Sequence, residues 1–454
     1  MHTLKYKLKN ILGHIGLNNE LFPSLFILAR TISLSRSGGS EEIFFYFLGA
    51  LVLLFPRYLV VYFVCTIIDL LNKMPDMKDH NLVTLILSLG LMYEWIKSKK
   101  LLNTSNIYFL NCLCSTIYIC AAFHKLNYNF FDSRTSCAPL VLNLYSTSFL
   151  KFNEVESLNQ VVIYLTILAE GVVPLFLLFE KTRKYALGAL FVFHLVLSLF
   201  FLRFSSTMML LLFSFFPKEK ILDKPNWIRP LSLALAVVLI ITFTIYLALP
   251  DSNETPWYLL DIQYILWLVF QAFLSYILIF KTVKFEIQKF RLNFTHYFLL
   301  LVCFTFASMP YLGLKTQGSF SIYSNLETSS LNPNHIFGLS KLKIFRMQDE
   351  LVQIENVQVD LRKIKLYEIR EVLFWWRKVK PFQVSLFELR RMADKLNDQR
   401  MHSVFITYRI GDQAFGRSEI ASDPMLINKN SPFLNKILTF IPINDKFQCG
   451  KLDF

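Results

Sequence analysis

Long apolar runs separated by short polar loops repeat along the first 314 residues. They fall near 22–36, 42–56, 57–74, 80–97, 101–123, 160–180, 184–203, 205–217, 230–249, 259–280 and 295–314. A helix that crosses a bilayer needs roughly 20 such residues. The runs at 22–36, 42–56 and 205–217 fall short of that and read as re-entrant, tilted or interfacial segments. The expectation is an all-α polytopic transmembrane bundle of about 8–11 membrane segments. Residues 1–20, with Lys5, Lys7 and Lys9, read as a basic amphipathic stretch preceding a transmembrane domain over 21–314.

The pattern changes at Lys315. Glu350–Val359 and Lys341–Phe345 alternate with the period of two that marks strands. Leu386, Leu389, Met392 and Leu396 recur at helical spacing within Ser385–Leu396. Val404–Phe415 reads as a hairpin turning at Gly411-Asp412. Residues 315–454 are therefore expected to form an extramembrane α+β domain.

Composition reinforces the membrane reading. Of 454 residues, 54% are hydrophobic and only 18% charged, and the mean hydropathy is +0.43. A soluble chain with these proportions would expose far too much apolar surface. The net charge of +14 is informative through its placement. Lysines and arginines gather in the loops Lys97–Lys100, Lys181–Lys184, Lys218–Lys220 and Lys281–Arg291, whereas Ser37–Glu42 and Asp251–Thr255 are acidic or polar. The positive-inside tendency puts the N-terminus in the cytoplasm, and the loop 124–159 and the C-terminal domain on the outer, periplasmic or lumenal, side. No nucleic-acid fold signature accompanies the basic residues, so no nucleic-acid partner is expected. Membrane lipids are.

The seven cysteines show no zinc-site spacing, and no metal is expected. Cys137 and Cys449 fall in segments assigned to the outer side, where a disulfide can form. Walker A, GxGxxG, HExxH and GxSxG motifs are missing from the sequence. No small-residue cleavage site follows the first apolar run, so a removable signal peptide is not expected.

Candidate chemistry lies where ionisable side chains interrupt the apolar runs, because such groups are costly in a bilayer and usually face a protein interior or cavity. Lys125 ends the fifth run beside His124. It is either a snorkelling lysine at the boundary or a desolvated amine able to act as a base. His194 and Glu170 each lie about ten residues into their runs, near mid-membrane at about 1.5 Å per residue, and a Glu170–His194 pair across neighbouring helices would offset two burial costs. That pair reads equally as structural. His80, at the start of the fourth run, is a helix-start residue or a group at a cavity mouth. Asp69, in the third run, is a candidate partner for Lys125.

These residues carry a family resemblance. Ile117-Tyr-Ile-Cys-Ala-Ala-Phe-His-Lys-Leu126 resembles the small-apolar-x-Lys-Leu stretch of the vitamin K-dependent γ-carboxylase-like transmembrane (HTTM) family. Ala169–Arg183 followed by Phe193-His194 is similar to its Glu…Pro-Leu…Thr-Arg…Phe-His stretch, and Gly313–Glu327 with Asn334-His335 and Phe387–Arg391 resemble later segments. The resemblance implies that Lys125 is the base that deprotonates a vitamin K-like quinol, that His194 and His80 support the site, and that a peptide glutamate is carboxylated. The chain departs from the carboxylases in three ways. His124-Lys125 replaces a lysine pair, the interval from Asp69 to His80 is longer, and the outer domain is much shorter.

The expected function is thus quinol- or lipid-linked acid/base chemistry modifying a peptide or small molecule at the outer face. Lys125, His194, Glu170 and His80 are the catalytic candidates. The alternatives are a non-catalytic maturation or export factor that holds a secreted peptide, and a proton-coupled transporter relaying through Glu170 and His194.

Overall fold

In the computed structural model the described residues are 21–34, 40–55, 58–98 without 75, 104–139, 156–198, 202–215, 235–244 without 242, a few positions between 265 and 272, 292–314 and, with short gaps, 318–440. Residues 1–20, Cys449 and most of the apolar runs at 230–249 and 259–280 lie outside them. The structure is mostly helical, with a small antiparallel sheet in its C-terminal region. Among the described residues three helices are long and apolar enough to cross a membrane: Ser105–His124, Glu156–Leu178 and Phe294–Leu312. Ile43–Leu54, Leu59–Asn72 and Arg203–Phe213 are apolar but shorter.

The helices follow the apolar runs closely. They are α1 (Leu21–Leu34), α2 (Ser40–Leu54), α3 (Leu59–Asn72), α4 (Asp79–Ser98), α5 (Thr104–His124), the single-turn α6 (Tyr128–Phe131), α7 (Glu156–Ile167), α8 (Glu180–Ser198), α9 (Leu202–Phe213) and α10 (Phe294–Leu312). By internal contacts the chain divides into two compact units, one from residues 1–69, 84–114 and 176–299, the other from 70–83, 115–175 and 300–454.

In the first unit α1 packs against α2 and α9, and α8 against α9. Phe26 meets Tyr62 and Phe63 edge to face, the arrangement ring quadrupoles prefer. Arg30 is buried beside them, ion-paired with Asp69 and set over the Phe45 ring. Asp69 serves Arg30. An arginine buried on an apolar helix needs a carboxylate to offset its desolvation.

In the second unit the strands β1 (Leu351–Val359), β2 (Phe382–Ser385), β3 (Val404–Ile410) and β4 (Gln413–Glu419) form one antiparallel sheet in the order β2-β1-β3-β4. Val352, Ile354, Val357, Val384, Val404, Ile406 and Tyr408 point into its core. Leu389, Met392 and Leu396 of α11 (Leu386–Asp398) close that core, as their helical spacing predicts. Ser385 caps α11 by accepting the Glu388 N–H at 3.2 Å. The hairpin turns at Gly411-Asp412 as expected: Ile410 pairs with Gln413, and Gly411 takes φ +56°, which glycine adopts without steric cost.

One predicted strand is not a strand. Lys343–Phe345, the described part of Lys341–Phe345, runs along the end of α10. There Gly313, at φ +77°, closes a Schellman cap: its N–H donates to the Pro310 carbonyl and the Leu314 N–H to the Met309 carbonyl. The Phe345 N–H takes the next free carbonyl, that of Leu312, at 3.0 Å. The segment spends its backbone on a helix end, so its period-two pattern finds no ladder.

Candidate functional site

The strongest candidate site lies in the second unit, where α5 ends. Lys125 is the first residue beyond the helix, and its N–H still donates to the Ala122 carbonyl at 3.0 Å. A lysine at a helix C-terminus interacts favourably with the exposed carbonyls. Its side chain stays out of solvent, 6% exposed, and the ammonium donates to Oε2 of Glu170 at 2.6 Å. The Phe130 ring lies 6.0 Å from Nζ, within the range of a cation–π contact.

Glu170 is presented by an unusual piece of backbone. After Ile167 the helix widens into a π turn, Leu168–Val172, and then tightens into 3-10 geometry over Val173–Leu178. The Val173 N–H reaches back five residues to the Leu168 carbonyl. Pro174 has no N–H with which to continue an α ladder, which favours the change of pitch. Gly171, inside the π turn, would carry a Cβ 3.3 Å from that of Ala122, so the glycine lets the last turn of α5 come close. Such π turns are often found at functional sites.

His124 stands beside Lys125 and is fully buried. Its Nε2 is 3.0 Å from the Ser319 carbonyl, which only accepts, so Nε2 carries the proton. Nδ1 is then the acceptor for the Tyr311 hydroxyl at 2.7 Å, and the two rings stack with centroids 5.3 Å apart. His335 follows the same logic, its Nε2–H donating to the Phe123 carbonyl at 3.0 Å and its Nδ1 accepting from the Phe337 N–H.

Irregular backbone around Lys125 is held by three asparagines. Asn127 donates to the His124 and Ser324 carbonyls and accepts from the Phe130 N–H and the Asn334 amide. Asn334 also donates to the Asn325 carbonyl and accepts from the Glu327 N–H. Asn325 accepts from the Cys137 N–H and donates to the Thr135 carbonyl. All four side-chain hydrogen-bonding positions of Asn127 are used, as a buried amide requires. Cys137 is disulfide-bonded.

The structure thus joins two predicted site residues, Lys125 and Glu170. Glu170, expected to pair with His194, is engaged by Lys125. His194 belongs to the first unit, buried on α8, where its Nδ1 lies 3.4 Å from the Ser205 hydroxyl and its carbonyl accepts from Ser198 and Ser205. His80 is buried in the first turn of α4. Its neighbour Asp79 accepts the N–H of Phe320 at 2.9 Å, fixing a residue held at φ +61°. That backbone conformation is strained for a bulky side chain.

His124 enters the sequence reading only as the neighbour of Lys125, and Tyr311 not at all. His124 adjoins Lys125, but its partners lie nearly two hundred residues away, beyond any local signal. Among the described residues no three His, Cys, Asp or Glu side chains converge as a metal site requires. No family model matches the chain, and neither does any characterised protein or solved structure.

Proposed function

We propose that the chain is a polytopic membrane protein of the vitamin K-dependent γ-carboxylase-like kind. In this reading Lys125 and Glu170 perform proton transfer on a quinol- or lipid-linked substrate, with the C-terminal domain on the outer side of the membrane. The observation that carries the reading is the buried Lys125–Glu170 pair, set on a helix end and a π turn. A lysine that merely snorkelled at that boundary would extend to water.

The surroundings suit a lipid-soluble phenol. Nζ donates to Glu170, and an ammonium carries three donor positions in all. Phe130 supplies an apolar wall. A quinol, when bound, would supply an acidic hydroxyl and, on oxygenation, the strong base that carboxylation needs. The chain's own part is narrower. Lys125 receives the hydroxyl proton once its amine is neutral, and its ammonium then faces the oxyanion in a site that excludes water. Glu170 holds Nζ in place and can take a proton from it with no change in the net charge of the pair.

The test is mass spectrometry of quinones and lipids co-purified with the detergent-solubilised protein, wild type beside Lys125→Ala, followed by a labelled carbon dioxide assay. Quinone retained by the wild type and lost from the variant supports the reading. No quinone in either protein, even after reconstitution with added quinols, would replace it with a non-catalytic maturation factor.

A further inference from the structure

The loop that follows Lys125 and the loop that bears His335 are zipped together. The Tyr128 N–H donates to the Asn334 carbonyl and the Ile336 N–H to the Leu126 carbonyl, both at 3.0 Å, around a bridge between Asn127 and His335. The inner side of this zipper is the asparagine network. Its other side shows Tyr128, Ile336 and Phe337 at 65%, 42% and 61% exposure. Gly338, at φ +61° with nothing within 4 Å of a would-be Cβ, turns the chain back after them.

Their depth follows from Glu170. Lys125, one residue before the zipped segment, is fixed to Glu170, which lies well inside the apolar stretch Glu156–Leu178. On the outer side of Glu170 that stretch still exposes Val161, Tyr164, Leu165 and Leu168. Val161 lies about 13 Å beyond Glu170 along the axis, at about 1.5 Å per residue. A helix face of that kind belongs in hydrocarbon, so the zipper beside Lys125 lies at a level the bilayer still occupies. Phe131, at the far end of α6, meets Tyr164 with ring centroids 6.5 Å apart, which keeps the loop beside the helix over this distance.

We infer that the paired segments 126–131 and 334–338 form a re-entrant element whose outer face, Tyr128, Ile336 and Phe337, contacts lipid acyl chains. The hydrogen-bond pattern is what such a position demands. Non-helical backbone at membrane depth is tolerated only where its polar groups are satisfied within the protein. Asn127, Asn325 and Asn334 do that here, leaving an apolar face outward. Exposed apolar side chains on the loops are then continuous with the exposed face of the neighbouring helix. The inference rests on the membrane reading of Glu156–Leu178 but is independent of any enzymatic activity.

The experiment is nitroxide labelling of single added cysteines in the full chain reconstituted in nanodiscs. Phe337→Cys and Tyr128→Cys are compared with Leu165→Cys on the helix and Asp412→Cys in the exposed hairpin, with wild-type protein labelled in parallel as background. Collision rates with oxygen, which concentrates in hydrocarbon, and with a water-soluble nickel chelate report the surroundings. The expected result is that labels at 337 and 128 behave like that at 165, with oxygen collisions several-fold more frequent relative to the chelate than at 412. Labels at 337 and 128 that match 412 while 165 remains lipid-exposed would overturn the re-entrant element and leave the membrane reading standing. A label at 165 that also matches 412 would overturn both.

Discussion

Asp76, in the turn between α3 and α4, holds Arg391 from the middle of α11 at 2.8 Å, while Arg391 also binds Glu388 one turn earlier on its own helix. Lys395 adds a second cation to Asp76 at 2.7 Å. Burial alone would raise the Asp76 carboxyl, but Arg391 and Lys395 outweigh it and hold the group at about 2. A carboxyl depressed in the folded state stabilises above its unfolded value, about 4, and that contribution disappears as pH falls through the folded value. Wild type should therefore be more stable than Asp76→Asn at pH 6, with the gap closing between about pH 4 and 2. Thermal unfolding of both proteins across that range checks it; a gap that persists at pH 2 would remove the ion pairs as its cause.

Lys125 and Glu170 should show strong energetic coupling. Removing one member of a buried pair strands the other charge, at a cost of about 3–5 kcal/mol. Lys125→Met and Glu170→Leu should each destabilise the protein by an amount of that order, and the double substitution should recover much of the loss. Chemical or thermal unfolding of the four proteins measures the coupling. Additive losses would mean that the two side chains do not depend on each other.

Tyr311→Phe deletes the hydroxyl that satisfies His124 Nδ1 and leaves a buried acceptor unpaired, at a cost of about 1–3 kcal/mol. His124→Phe with Tyr311→Phe removes both polar atoms and should cost less than the sum of the single changes. A double-mutant cycle on unfolding free energies decides this.

Gly313→Ala should be disproportionately harmful for one methyl group. A Cβ there would lie 2.0 Å from the Phe345 carbonyl oxygen, and φ is +77°. The left-handed conformation alone costs about 1–2 kcal/mol for other residues, and backbone must move in addition. Gly338→Ala shares the positive φ but meets open space, so the difference between the two variants in thermal unfolding isolates the steric part.

Much of the local structure was legible in the sequence because short-range rules decide it. The spacing of Leu386, Leu389, Met392 and Leu396 announces α11, Gly411-Asp412 its hairpin neighbour, and the apolar runs the helices α3, α4 and α5. Site pairings were not legible in the same way. Run lengths gave Glu170 and His194 similar depths, but depth says nothing of which helix faces which. Lys125 met Glu170 because a π turn and Gly171 bring that backbone to the end of α5, and hydropathy cannot register a change of pitch. Lys343–Phe345 failed for a related reason: a helix cap over three hundred residues into the chain claimed its N–H before any strand could.

The asparagine network also dictates a timetable for biosynthesis. Asn127 emerges from the ribosome some two hundred residues before its partner Asn334, so the end of α5 cannot be finished when its helix is first made. Until then the amide that steadies Lys125 has no fixed place, and the early product is a nascent chain with an open, unsatisfied seam. A chain stopped before residue 318 should still make its helices yet remain prone to capture by quality control. Completing the C-terminal segment is, in this sense, the final step in manufacturing the lysine's surroundings.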